Sequence, residues 1–523
     1  MSQESADDSF LPWRAWLWLP VLVLAPAATL SLLGRFDGLY GQDAYAYYRY
    51  SAGPLLDRWL HLQALPPFHW PPGYPLLAAL ASRLVGQSPL AGQLVSLLAG
   101  SLVPVFTALW AWELAHTWRA SGQSAWRVAL MAGMLAALVG QLWQSSVVVM
   151  SDTTALAAAT LGIWAAARYG RQAGQGRFAP AWLWLAAAAL AWAVLTRWAA
   201  ALAAIPCAVY SLGILLRQPR RRAWLTALGA LTLAAAILWP VWQPAWRYVV
   251  GGRAAMAGQP DFAIDLAVVA WDPRHALQRR FETADGVQTY HWPNGLFYAA
   301  APAHRYFFTP WLAWLLAPGV WALWQRRNWA VATLVIGWLG MALGFLLGVA
   351  WQNFRFTLAF LPPAALLAAL GWETLVARLR PTWRRLAWGW LALGGLWMAY
   401  GGVTLTQSFI ERKSADLATI TWVEQQVEPN AQLITFGLTL TFQHYSSLRA
   451  EEIFYQTPET LAALLASGRP TYLLVDTAVV QNQWRGRAPE LNYRWLQSQP
   501  GLTRLGQVRA YTLLQVEAPA APP

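Results

Sequence analysis

In a chain that is 57% hydrophobic and only 12% charged, clustered polar side chains mark where chemistry could occur. The densest cluster runs from Arg35 to Pro75, opening RFDGLYGQDAYAYYRYSAGPLLDRW and closing PPFHWPPGYPLL. Asp43 stands out. A carboxylate just outside a bilayer can accept the proton of an attacking hydroxyl, or hold a divalent metal that does so. A helix starting near Gly41 would place Tyr47 and Tyr50 on the face of Asp43, four and seven residues on. The same spacing also suits a helix N-cap at Asp43. Asp37 and Asp57 read as solvated loop acids. In His69-Trp70-Pro71-Pro72-Gly73-Tyr74-Pro75 the prolines fix a sharp entry into a short helix. His69 could donate to a phosphate or act as an acid there, or be a structural interfacial histidine. Tyr47, His69 and Tyr74 are therefore the candidate substrate contacts.

Asp152, in SVVVMSDTT, starts an Ala-rich helix, either as a cap or as an ionisable site at the end of a span. Arg197 in LTRW and Arg355 in QNFRF lie at span ends where other arginines do not. A guanidinium there suits a phosphate, because its planar fork binds two oxygens; a snorkelling arginine is the alternative. There is no G-x-x-x-x-G-K-[ST] loop for nucleotide phosphates, which argues against an ATP-driven pump. Cys207 is the one cysteine, so no disulfide forms within the chain, and it reads as a small buried filler.

These residues need a scaffold, and the composition points to a membrane one. A soluble domain carries about 25% charged residues. Many of the 36 tryptophans sit beside Arg or Pro at the ends of apolar runs, as headgroup anchors do. A net charge of +13 would suggest nucleic acid in a soluble protein, but here the arginines lie in short gaps between apolar runs. No nucleic-acid partner is expected; the bilayer is. Eleven runs have about the spanning length: 14–34, 89–117, 126–145, 151–168, 180–197, 199–216, 223–243, 307–324, 329–350, 355–377 and 386–406. The run 74–85 is short and reads as an interfacial or re-entrant helix. With the N-terminus in the cytoplasm, the cytoplasmic gaps collect Arg119 and Arg127, Arg168 to Arg177, Arg217 to Arg222, Arg326 and Arg327, and Arg378 to Arg385. The opposite gaps include 35–88, around 146–151, around 197, 244–306 and around 353. The loop 244–306 holds Asp261, Asp265, Asp272, Asp285, His275, His291 and His304, and its length suggests a task.

Past residue 406 the pattern changes. ADLATITWVEQQ, PETLAALLAS and ELNYRWLQSQ read as helices; AQLITF, EEIFYQ, PTYLLVD and VRAYTLLQV read as strands. The expected fold is an α-helical polytopic membrane protein of about eleven transmembrane helices (1–406), a small C-terminal α/β domain on the outer face (414–517), and a frayed tail (518–523).

Taken in order, GQDAYAYYRYSAGPLLDRW, WPPGYPLLAAL with LVGQSPLAGQLVSLLAG, SDTTALAAATLGIWAAARYG, LTRWAAALAAIP and RFTLAFLPPAALLAAL resemble the GT-C superfamily of integral-membrane glycosyltransferases. The likeness is to the family 39-like group, relatives of protein O-mannosyltransferases and of the aminoarabinose transferase acting on lipid A. It covers roughly residues 35–375. It implies a polyprenyl-phosphate-linked sugar as donor, a lipid, glycan or protein acceptor, and inverting transfer outside the cytoplasmic membrane. By the same likeness Asp43 is the base or its close partner, Asp152 a second acid, and Arg355 and Arg197 the holders of the donor phosphate. Two departures stand out. The acidic pair common in the family's first loop is Gln42-Asp43 here, and the charged residue before the double proline is replaced by His69-Trp70. The competing reading is a lipid or solute transporter without covalent chemistry. It predicts ionisable groups at mid-membrane depth, whereas the acids here lie mainly at the outer ends, with Glu113 and Glu373 near cytoplasmic ends.

Overall fold

The computed structural model describes residues 13–66, 68, 70–117, 122–242, 271–283 and 285–516. His69, Asp261, Asp265 and the tail 518–523 lie outside the described residues.

The architecture follows from helices that are apolar on nearly all sides, which are stable only inside a large core or in lipid. Five are long and apolar enough to cross a membrane: Trp16–Leu33, Pro89–Thr117, Trp198–Leu215, Trp329–Gly348 and Phe354–Val376. The pair Ser124–Ala137 and Gly140–Val147, bent by 57°, makes a sixth if counted as one broken span. The remaining expected spans are also helical, but shorter, more polar or interrupted. They include Asp152–Gly174, Ala181–Thr196, Arg220–Ile237, Thr309–Ala313 with Leu316–Gln325, and part of Pro381–Gln426. The short apolar run near 74–85 is the 13-residue helix Gly73–Val85.

Small residues let these helices approach closely, as membrane bundles require. A Cβ on Gly162 would come within 2.6 Å of the Leu190 side chain, and one on Gly140 within 2.7 Å of the Gly402 backbone. The second contact explains the 57° bend: the chain breaks at 138–139 so that Gly140–Val147 can cross the long helix at its Gly401-Gly402 pair.

That long helix, Pro381–Gln426, runs unbroken for 46 residues. The expected division between residues 406 and 414 lies inside it. Its last turns form one layer of the C-terminal unit, where Ile420 and Val423 pack on Leu433, Leu474 and Leu513. The opposite layer packs Ile434, Leu473 and Val475 against Leu461, Leu465 and Leu496. Between them lies a five-stranded sheet of order β4-β3-β5-β7-β6. Its strands are β3 Gln432–Thr435, β4 Arg449–Glu452, β5 Thr471–Asp476, β6 Leu502–Val508 and β7 Tyr511–Val516. A separate hairpin, β1 Arg280–Thr283 with β2 Gly286–Thr289, belongs to the second large loop.

Two readings of the C-terminal unit change. EEIFYQ is not one strand: β4 ends at Glu452 and Ile453–Tyr455 is a 3-10 turn. VRAYTLLQV spans a hairpin turn, with Arg509 at φ +53° between β6 and β7. β6 is a largely exposed edge strand, so its sequence shows no apolar alternation.

Candidate active site

Four of the side chains singled out by type form one linear cluster. Arg355 Nη1 and Nη2 lie 3.4 and 3.3 Å from Asp43 Oδ2. Arg355 Nε lies 3.6 Å from Asp152 Oδ2, and Arg197 Nη1 lies 2.9 Å from Asp152 Oδ1. Charges therefore alternate from Asp43 through Arg355 and Asp152 to Arg197.

Each member sits at a discontinuity of a helix. Asp43 is in the first turn of Gly41–Ala52, the helix expected near Gly41. Asp152 opens Asp152–Gly174 after the turn at 148–151. Arg197 separates the helix Ala181–Thr196 from a 3-10 turn. Arg355 lies in the 3-10 run Phe354–Phe360 that precedes Leu361–Val376. Helix ends leave backbone groups and neighbouring polar side chains free to face one space. Arg168 and Arg171 lie at the far end of the helix that Asp152 opens, ~24–29 Å away along its axis.

The capping alternatives do not hold. The N-cap before Asp43 is Tyr40 and that before Asp152 is Ser151, and neither helix has a side-chain cap. Both carboxylates turn to arginines instead. The snorkelling alternative also fails, because the guanidinium groups of Arg197 and Arg355 point at carboxylates within the protein. Phe356 lies under both, 5.6 Å from Arg197 and 5.7 Å from Arg355.

The cluster is buried but not closed. The Asp152 side chain is 5% exposed, Arg355 19% and Asp43 36%. Asp152 Oδ2 and Arg355 Nε are buried without a hydrogen bond. The Asp43–Arg355 contacts are longer than the roughly 2.7–2.9 Å of a tight charge-assisted bond. Asp43 Oδ1 has no hydrogen bond among the described residues.

Tyr47 and Tyr74 occupy a different position from the one expected. They are 3% and 0% exposed, with their hydroxyls used inside the protein. Tyr47 shares a hydrogen bond of 3.0 Å with Ser151 Oγ, next to Asp152, and burial pushes its phenol pKa up. Tyr74 donates to the Gly92 carbonyl at 2.9 Å and meets Ser96 Oγ at 3.0 Å. Ser96 in turn bonds the Met150 carbonyl at 3.2 Å. Both tyrosines brace the turn that presents Asp152. Phe68 and Trp70, which flank His69, pack on the Tyr47 ring at 5.6 and 5.2 Å.

Three further acids belong to the two large loops. Asp57 is exposed as expected, but it lies in the short helix Leu55–Leu60 and pairs with Arg83 at 2.6 Å. Asp37 is not solvated in that way; it receives Lys413 Nζ at 3.4 Å and the Tyr445 hydroxyl. Asp285, at the turn of the β1–β2 hairpin, is half-buried. Burial first and the charge of Asp43 second hold its carboxyl above the usual range. Among the described residues no group of three or more His, Cys, Asp or Glu is placed to share a metal. Asp43 and Asp152 face arginines in this arrangement. The cysteine is buried, as expected of a filler.

No protein-family model matches the chain, and no curated protein matches it in sequence. Solved structures do match its fold. The apo structure of ArnT from Cupriavidus metallidurans superposes with a TM-score of 0.60 at 14% identity, covering 96% of this chain and 98% of that one. The structure of the same protein bound to undecaprenyl phosphate gives 0.60 at 15% identity, covering 96% and 99%. The oligosaccharyltransferase AglB from Archaeoglobus fulgidus, in complex with an inhibitory peptide and a dolichol-phosphate, gives 0.55 at 15% identity, covering 96% and 74%. The chain thus shares the fold of ArnT and AglB, and its apolar helices make it a polytopic membrane protein.

Proposed function

We propose that the protein is a membrane glycosyltransferase. It moves a sugar from a polyprenyl-phosphate-linked donor to an acceptor hydroxyl, with inversion, on the outer side of the cytoplasmic membrane. The observation that carries this reading is the position of Arg355 between Asp43 and Asp152, with Arg197 on the far oxygen of Asp152. Two structures that share the fold hold lipid phosphates, undecaprenyl phosphate in one and dolichol-phosphate in the other.

The chemistry requires a base for the acceptor and cations for the leaving group. Asp43 takes the proton of the acceptor hydroxyl as its oxygen attacks the anomeric carbon. The bond from that carbon to the phosphate oxygen breaks, and its electron pair leaves on the phosphate, where Arg355 and Arg197 meet the charge. An arriving phosphate competes with Asp43 for Arg355. The long Asp43–Arg355 contacts favour that exchange, which frees Asp43 to act as base. Asp152 holds the two guanidinium groups apart and oriented. Tyr47 and Tyr74 act through the walls they build, and His69 remains a proposed substrate contact on its residue type alone. Sidedness rests on the arginine-rich gaps, which lie at the other ends of the helices that present the cluster. The C-terminal α/β unit then lies outside, following the division proposed at 406–414.

The test is to reconstitute the full chain in proteoliposomes with labelled polyprenyl-phosphate sugars and envelope acceptors. Labelled product with release of polyprenyl phosphate supports the reading. Label crossing the bilayer without covalent change would replace it with the transporter.

A further inference from the structure

Lys413 is the only lysine in a chain otherwise supplied with arginine, and its side chain is 4% exposed. It projects from the long helix Pro381–Gln426. Its Nζ donates to the Leu39 carbonyl at 2.6 Å, the Tyr445 hydroxyl at 2.7 Å and the Tyr45 hydroxyl at 3.1 Å, and lies 3.4 Å from Asp37 Oδ1. An ammonium has three protons, and here four oxygens converge on one nitrogen. Tyr445 also donates to the other oxygen of Asp37, and the Leu39 N–H donates to Asp37 Oδ1 at 3.0 Å. The Tyr445 ring lies 4.2 Å from Nζ.

The partners come from two places. Asp37, Leu39 and Tyr45 belong to the segment that carries Asp43, and Tyr445 ends the helix Thr439–Tyr445 of the C-terminal unit. Leu39 directly precedes Tyr40, the uncapped N-cap of Gly41–Ala52, and Tyr45 follows Asp43 by two residues. Gly41 turns the chain between these two fixed points at φ +75°. Among the described residues, the Asp43 carboxylate is held by its long contacts with Arg355 alone. Its place is therefore set by what grips residues 37–45 from above.

We infer that Lys413 is a positioning residue for Asp43, and that Tyr445 makes the C-terminal unit part of the device that places the acid. The inference rests on reading Asp43 as the base. Arginine cannot take over this role, because a guanidinium spreads its donors across a plane and cannot bring four oxygens to one atom.

The test uses the full chain and three variants, Lys413→Met, Lys413→Arg and Tyr445→Phe. Two quantities are measured: binding of undecaprenyl phosphate, and kcat and KM for transfer from the labelled donor across pH. Lys413→Met and Lys413→Arg are expected to lower kcat at least tenfold and to move the acidic limb of the pH profile. Donor KM and lipid-phosphate affinity should stay within about twofold, and Tyr445→Phe should show a smaller loss of the same kind. Full activity in Lys413→Met, rescue by Lys413→Arg, or parallel loss of binding and kcat would overturn the inference. A nitroxide on a cysteine at the exposed Gln42 gives a readout that needs no transfer. Its spectrum should be immobilised in the parent and in the folded Lys413→Met variant distinctly mobile; equal mobility would refute the positioning role even if the sugar-transfer reading had already failed.

Discussion

Asp152→Asn separates two effects that a lesser site would confound. Asp152 lies between Arg197 at 2.9 Å and Arg355 at 3.6 Å, with 5% of its side chain exposed. Removing its charge leaves two guanidinium groups with only Asp43 to balance them. At roughly 4 Å and an effective dielectric of about 20, each pair contributes about 4 kcal/mol before hydration is counted. Deleting one partner of a buried pair costs about 3–5 kcal/mol. Because Arg197 and Arg355 retain 27% and 19% exposure, the low end applies, about 3 kcal/mol. A lipid phosphate brings back the missing negative charge. The apparent melting temperature of the apo variant should therefore fall, while the stabilisation added by saturating undecaprenyl phosphate should exceed that in the parent. Binding at a hundred times Kd adds about 2.7 kcal/mol, so tighter binding is visible against a destabilised background. The assay is thermal unfolding in detergent with and without the lipid phosphate. If the variant were as stable as the parent, or gained less from the ligand, the alternating-charge account of the cluster would be wrong.

The other expectations concern the surroundings of the cluster. A Cβ at Gly73 would meet Thr196 Oγ1 at 2.7 Å and the Leu195 carbonyl at 2.8 Å, so Gly73→Ala should cost about 1–3 kcal/mol and, by shifting the chain before Arg197, raise donor KM. Glu113 accepts Arg168 at 2.7 Å and Arg171 at 2.6 Å. Glu113→Gln should lower stability by about 2–3 kcal/mol with lipid-phosphate affinity unchanged, since the pair lies at the far end of the bundle. His444 packs on Tyr45 and Tyr48 with its pKa held below the ordinary value of 6.5, mainly by burial, with Lys413 and Arg49 adding to the effect and Asp37 opposing it. A lowered pKa gives stability that is full above pH 6.5 and lost as pH falls through the folded-state value. Docking of the C-terminal unit, followed by limited proteolysis near residue 427, should weaken on acidification, and His444→Phe should remove that dependence.

The four residues of the cluster were legible because an apolar chain rarely holds ionisable groups at span ends, and because Arg197 and Arg355 broke the sidedness of the other arginines. What each would touch was not legible. Asp37 looked like a loop acid because its partners, Lys413 and Tyr445, lie hundreds of residues away, and nothing in local spacing reports such a contact. The lone lysine was visible in the sequence, but its four oxygens were not. The helix break at 138–139 was hidden by continuous apolarity; only the approach of Gly140 to Gly402 explains it. Tyr47 and Tyr74 had the right chemistry for substrate contact, but burial gave them the task of holding Asp152.

Everything proposed for this fold converges on the carboxyl of Asp43. The most direct measurement is transfer from a labelled polyprenyl-phosphate sugar by Asp43→Asn, paired with its affinity for undecaprenyl phosphate. The account predicts a drop in kcat of about 10²–10⁴-fold with lipid-phosphate binding retained or tightened, because Arg355 loses a competitor. Transfer at the parent rate, or loss of phosphate binding along with it, would contradict the assignment of Asp43 as the base.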